Sequence, residues 1–210
     1  MSRERPILFN GPMVHAILAG QKTQTRRAVK GEGLEWLGPG MFTPEYVADP
    51  GNNLCSFGKP GDRLWVRETW GVGSRPDPWG GYDGIEYRAD ECGLEAGDDL
   101  PCHKVETPAD VCLGDYRAGW MPSIHMPRWA CRLVLEITEV RVERLQAISE
   151  ADVCAEGIEV HNDDGVTYYG PYGHGDARPE IAFRDLWTST GGDWDGNPWV
   201  WVIEFKVVTP

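Results

Sequence analysis

Four residues able to take part in acyl-transfer chemistry lie within one short polar segment, Gly20-Gln-Lys-Thr-Gln-Thr-Arg-Arg27. A lysine works as a base near neutral pH only where burial or neighbouring cations pull its pKa down. Arg26 and Arg27 would act on Lys22 in that direction. A threonine hydroxyl is a weak nucleophile until a base takes its proton, so Lys22 beside Thr25 has the composition of a nucleophile–base pair. Glu68 closes a strand-like run on the same face as Leu64 and Val66 and could hold the ammonium or relay a proton. Together Lys22, Thr25 and Glu68 would make a metal-free acyl-transfer site. The segment also reads as an ordinary exposed basic loop, and Glu68 as a strand-end carboxylate reaching water.

Other chemistry finds less support. The chain lacks a phosphate-binding P-loop, a Gly-x-Gly-x-x-Gly turn, a His-Glu-x-x-His pair and a Gly-x-Ser-x-Gly elbow. Cys92, Cys102, His103 and Cys112 are spaced without the close Cys-x-x-Cys knuckle of a zinc ribbon. No metal and no cofactor is therefore assigned. Trp70 could stack on a pyrimidine, although most of the ten tryptophans must serve the core. Trp194, Trp199 and Trp201 would suit either that core or a partner-binding surface.

Thirty-three Asp and Glu against twenty Lys and Arg give the 210 residues a net charge of -13. That balance excludes broad, nonspecific coating of nucleic acid. The first thirty residues carry six basic side chains and only Glu4 as an acid, a net of +5, which leaves -18 on the remainder. A focused positive region on a negative body can attract a small anionic or nucleotide-like ligand. The start does not read as an export signal, and no apolar run reaches bilayer length. Free thiols and a cytoplasmic location, away from membranes, are the expectation.

The elements that must position these residues are short. Arg5–Phe9 reads as a strand, and Asn10 as the cap of a helix with Pro12 in its first turn and Gly20 as its stop. Pro60-Gly61-Asp62 signals a turn before the alternating run Arg63–Trp70. A short strand is expected at Ile85–Arg88. The long run Cys131–Leu145 changes phase after Ile137, as at a bulge. Ser149 to Asp152 resembles a capping box with Asp in place of Glu, closed by Gly157. A helix is expected over Pro179–Thr188 and a strand over Trp199–Val208. Residues 31–60 and 160–177 read as loops.

Gly20-x-Lys22-x-x-Thr25-x-Arg27, the Pro60-Gly61-Asp62 turn and the strand ending Glu68-Thr69-Trp70 resemble the ASCH domain family. Arg5-Pro-Ile-Leu-Phe9 and Met126-Pro-Arg-Trp129 resemble in particular its larger phage and prophage members. The resemblance implies a mainly β, α+β fold with short helices, a PUA-like β-barrel carrying long loop insertions. It implies one domain over 1–210, with insertions at 31–58, 71–122 and 160–177. It further implies hydrolysis of the amide of N4-acetylcytidine or a related N4-acylated cytosine nucleoside without a metal. On that reading Thr25 is the nucleophile, Lys22 its base and Glu68 the orienting or relaying carboxylate. Arg26, Arg27 and Trp70 would contact substrate, and the protein would be a monomer or homodimer. The alternative is an RNA- or DNA-binding PUA-like domain, with or without ribonuclease activity.

Overall fold

The computed structural model describes residues 2–75, 82–91, 107–116 and 119–208. In chain order its elements are β1 (Glu4–Leu8), α1 (Gly11–Leu18), β2 (Gln24–Ala28), α2 (Glu32–Trp36) and α3 (Pro44–Ala48), then β3 (Arg63–Arg67), β4 (Trp70–Arg75), β5 (Tyr82–Tyr87) and β6 (Gly119–Met121). There follow β7 (Val134–Arg144), α4 (Glu150–Ala155), β8 (Val160–Asp163), β9 (Val166–Tyr169), α5 (Pro179–Ser189) and β10 (Trp199–Val208).

Local chemistry accounts for the ends of several elements. The Asn10 side chain accepts from the Met13 amide at the start of α1. At α4 the Ser149 hydroxyl and the Asp152 carboxylate bond each other's backbone amides reciprocally, so Asp serves where Glu is usual. The phase change in β7 is a bulge. Glu204 pairs with Glu139 and Phe205 with Ile137, which leaves Thr138 as the extra residue. The sequence expectation fails at two places read as loops. Short helices α2 and α3 occupy part of 31–60, and the β8–β9 hairpin occupies part of 160–177.

The expected closed barrel is not formed. The fold is mixed α/β with three open sheets: β1-β3-β7-β10-β2, β5-β4-β6 and β8-β9. In the five-stranded sheet β1 runs parallel to β3 and the other pairs are antiparallel. Closure would need a ladder between the two edge strands, β1 and β2. Instead the Arg27 side chain of β2 donates to the Leu8 carbonyl of β1 at 2.9 Å, and its guanidinium lies 5.2 Å from the Phe9 ring centroid. A side chain bridges the edges where backbone hydrogen bonds would have closed them.

The interior strand β10 is buried on both faces. Trp201, Ile203 and Phe205 join Ile7, Phe9, Leu64, Leu135 and Ile137 in one core. Val200 and Val202 face Leu145, Val153, Tyr169 and Phe183 in another. Directly paired residues in a sheet point to the same side, so Thr25 lies on the Ile203 face and Arg26 on the Val202 face, beneath α4 and α5. A third core gathers Trp70, Tyr87, Met126, Ala130, Cys131 and Val134.

Candidate active site

Lys22 is buried, 2% exposed. Its ammonium donates to the Glu156 carboxylate at 2.7 Å and to the Glu156 carbonyl at 2.8 Å. Burial lowers the Lys22 pKa; the Glu156 charge opposes that, and Arg27 and Arg26 push the same way as burial. The ammonium also stands 5.8 Å from the centroid of the Phe9 ring.

Glu156 is the residue that sequence reasoning missed. It caps the C-terminal end of α4, where the helix dipole disfavours a carboxylate. An acid in that position is a signal in itself, because it calls for a cation from elsewhere in the chain. Gly157 follows with φ of 88°, and a Cβ there would lie 2.8 Å from the Ala16 Cβ and 2.9 Å from the Lys22 Cβ. Only glycine permits this close approach of α1, Lys22 and the end of α4.

Arg26 is buried with its guanidinium among three carboxylates. It contacts Glu156 at 3.2 Å, Asp152 at 3.2 Å and Glu143 in a short contact. It also lies 5.6 Å from the Phe183 ring. Arg27 has a different environment. It donates to the Leu8 and Arg26 carbonyls, packs on Phe9, and makes no ion pair among the described residues. Burial lowers its pKa, against the pull of Glu156. Thr25 is 1% exposed, opposite Ile203 on the core face of β2.

Glu68 and Trp70 belong to a second buried constellation. Arg132 donates to both Glu68 oxygens at 2.9 Å each and to Asp90 at 3.0 Å, with the Tyr87 ring 4.0 Å from its guanidinium. Burial raises the Glu68 pKa against the pull of Arg132. Trp70 is fully buried, with edge-on contacts to Tyr116 and Trp129. The structure therefore pairs Lys22 with Glu156, and Glu68 with Arg132.

Two clefts flank this region. One of about 810 Å³ is lined by His15, Ala16 and Gly157, with Tyr169 and His174 opposite. The other, of about 620 Å³, is lined by Phe9, Asn10, Arg27, Thr69 and Ser123 among others. Among the described residues no cluster of three or more His, Cys, Asp or Glu is placed to hold a metal ion. Cys92, Cys102 and His103 lie outside the described residues, and Cys112 is an exposed free thiol. Also among the described residues, no helix is long and apolar enough to cross a membrane. Trp201 is buried, while Trp199 and Trp194 pack half-buried against the cores.

No protein-family model and no curated protein matches the chain. A solved structure similar to it is the ASCH domain from Lactobacillus crispatus JV V101, at 13% sequence identity and a TM-score of 0.38, covering 99% of this chain and 81% of that one. That likeness is distant.

Proposed function

We propose that the chain is a metal-independent amidohydrolase acting on the N4-acyl amide of an acylated cytosine nucleoside. The observation that carries this reading is the desolvated Lys22 ammonium on Glu156, three residues from Thr25. Burial brings the lysine toward the pKa range in which it can exchange a proton. The resemblance of Gly20-x-Lys22-x-x-Thr25-x-Arg27 to the ASCH signature supports the substrate class.

In this reading neutral Lys22 takes the Thr25 proton as the hydroxyl oxygen attacks the acyl carbon. The C–N bond then breaks, the cytosine amine leaves with a proton returned by the Lys22 ammonium, and water hydrolyses the acyl-threonine to release the acid. Glu156 takes the carboxylate role beside Lys22, since it is the group bonded to the ammonium. Lys22 and Thr25 are 2% and 1% exposed, so the acyl group must enter by displacing a neighbour, for which Phe9 on Lys22 is the candidate.

The test is the ultraviolet spectrum of N4-acetylcytidine incubated with the EDTA-treated protein, alongside Lys22→Ala, Thr25→Val and Glu156→Gln. Conversion to cytidine by the wild type and a fall of 10²-fold or more in each variant is the expected result, on the scale of removing a general base. A wild type that leaves the amide intact overturns the reading. The same burial of Lys22 and Thr25 favours a second one, a nucleotide- or nucleic-acid-binding domain whose polar core is structural. Binding of cytidine derivatives without turnover would support that alternative.

A further inference from the structure

We infer that the 620 Å³ cleft beside β1 and α1 is a phosphoryl-binding site whose anchoring cation is Arg27. Among the described residues the lining contains no aspartate or glutamate, although the chain carries thirty-three of them and a net charge of -13. Its cation is Arg27, whose neighbour Arg26 is ion-paired with three carboxylates. Arg27 has none. Its only polar contacts among the described residues are the Leu8 and Arg26 carbonyls, which use two of the guanidinium's donors. The remainder are left for a ligand, and packing on Phe9 holds the planar group in one orientation.

Arg27 is half-buried, and a partly desolvated guanidinium with no carboxylate in ion-pair contact among the described residues carries a cost; desolvation lowers its pKa against the more distant pull of Glu156. A bound anion removes that penalty. Further donors converge on the same cleft. Asn10 uses its side-chain oxygen to cap α1, which leaves its amide nitrogen as a donor, and Thr69 and Ser123 bring hydroxyls. Ser189 and Thr190 also line the cleft, but their hydroxyls donate to the Leu186 and Trp187 carbonyls at 2.7 Å and add no donor. A guanidinium with hydroxyl and amide donors around it suits the several oxygens of a phosphoryl group. This inference does not depend on turnover, because a phosphoryl site serves a hydrolase and a binding domain alike.

Isothermal titration with cytidine, cytidine 5′-monophosphate and the dinucleoside phosphate CpC lacking a terminal phosphate tests it directly. The monophosphate or the diester should bind roughly ten- to a hundredfold more tightly than cytidine, the range of a hydrogen bond to a charged group. Preference for the monophosphate would identify a terminal phosphate as the ligand, and preference for CpC an internucleotide one. Arg27→Gln should abolish the preference and Arg27→Lys retain part of it. As a readout free of any folding defect, inorganic phosphate should compete with the preferred ligand on the wild type. Equal affinity for all three ligands, or a preference that survives Arg27→Gln, overturns the inference. Failure of N4-acetylcytidine hydrolysis would leave these binding results unchanged, so the two readings fail separately.

Discussion

The Lys22 ammonium bonds both the carboxylate and the backbone carbonyl of Glu156, 134 positions further along the chain. The same carboxylate also receives Arg26 at 3.2 Å. One acid is therefore shared by two buried cations at the point where β2 meets the end of α4, with Glu143 and Asp152 also on Arg26. The arrangement ties the N-terminal basic segment to the C-terminal half of the fold, and it concentrates the electrostatic cost in Glu156.

Glu156→Gln should destabilise the protein more than Lys22→Met. The first leaves Lys22 without its anion and Arg26 with one fewer, at a cost of about 3–5 kcal/mol. The second leaves Glu156 still paired to Arg26. The double variant should recover part of the loss, as expected for residues in direct contact. Urea denaturation of the four proteins measures this, and strictly additive losses would show that the two residues are not coupled.

The lowered pKa of Lys22 sets a pH dependence with a definite sign. Between its folded pKa and the ordinary lysine value of about 10.4, the unfolded chain holds a proton that the folded chain has lost. Stability should therefore rise with pH across that interval in the wild type relative to Lys22→Met. Denaturation at several pH values up to about 10.4 reads the difference. A flat difference would mean that Lys22 titrates as an ordinary surface lysine.

Asp62 should contribute stability that acid removes. Burial raises its pKa, but the Arg3 amide at 2.8 Å, the Lys59 amide and the charges of Arg5 and Lys59 outweigh that and hold it below the usual aspartate value. A carboxyl depressed in the folded state stabilises above the ordinary pKa of about 3.9 and loses that contribution as pH falls through the folded value. Asp62→Asn should cost about 1–3 kcal/mol at neutral pH, with the gap to wild type closing in acid. A gap of constant size down to low pH would contradict an ionised Asp62.

Glu68→Gln separates a structural carboxylate from one that serves Lys22. Gln keeps one oxygen for Arg132 but loses the second acceptor and the charge, which should destabilise the fold by about 3 kcal/mol or more. With Glu156 as the partner of Lys22, N4-acetylcytidine turnover measured well below the melting point should fall less than about tenfold in Glu68→Gln, against 10²-fold or more in Glu156→Gln. The reverse order would return the relay role to Glu68.

What the sequence alone determined about this protein is the chemistry that acts over a few residues. The Asn10 cap, the Ser149–Asp152 capping box and the bulge after Ile137 were all legible, because each rests on side chains bonding nearby backbone or on the period of one strand. The clustering of Lys22, Thr25, Arg26 and Arg27 was legible for the same reason. Alternation in β10 picked out the Trp201, Ile203 and Phe205 face but not the second buried face, because β-branched Val200 and Val202 fit a strand whether or not anything covers them.

Tertiary structure decided which charge meets which. Glu68 went to Arg132 and Lys22 to Glu156, pairings set by packing across 64 and 134 positions that no local pattern encodes. It separated Arg26 from Arg27, since neighbours in a strand point to opposite faces and one face happened to hold Glu143, Asp152 and Glu156. It also decided that the sheet stays open. Strand length and hydrophobic pattern are the same for an edge that pairs and an edge that is bridged by one arginine to a single carbonyl, and only the placement of Phe9 and the Arg27 side chain at the gap between β1 and β2 distinguishes them.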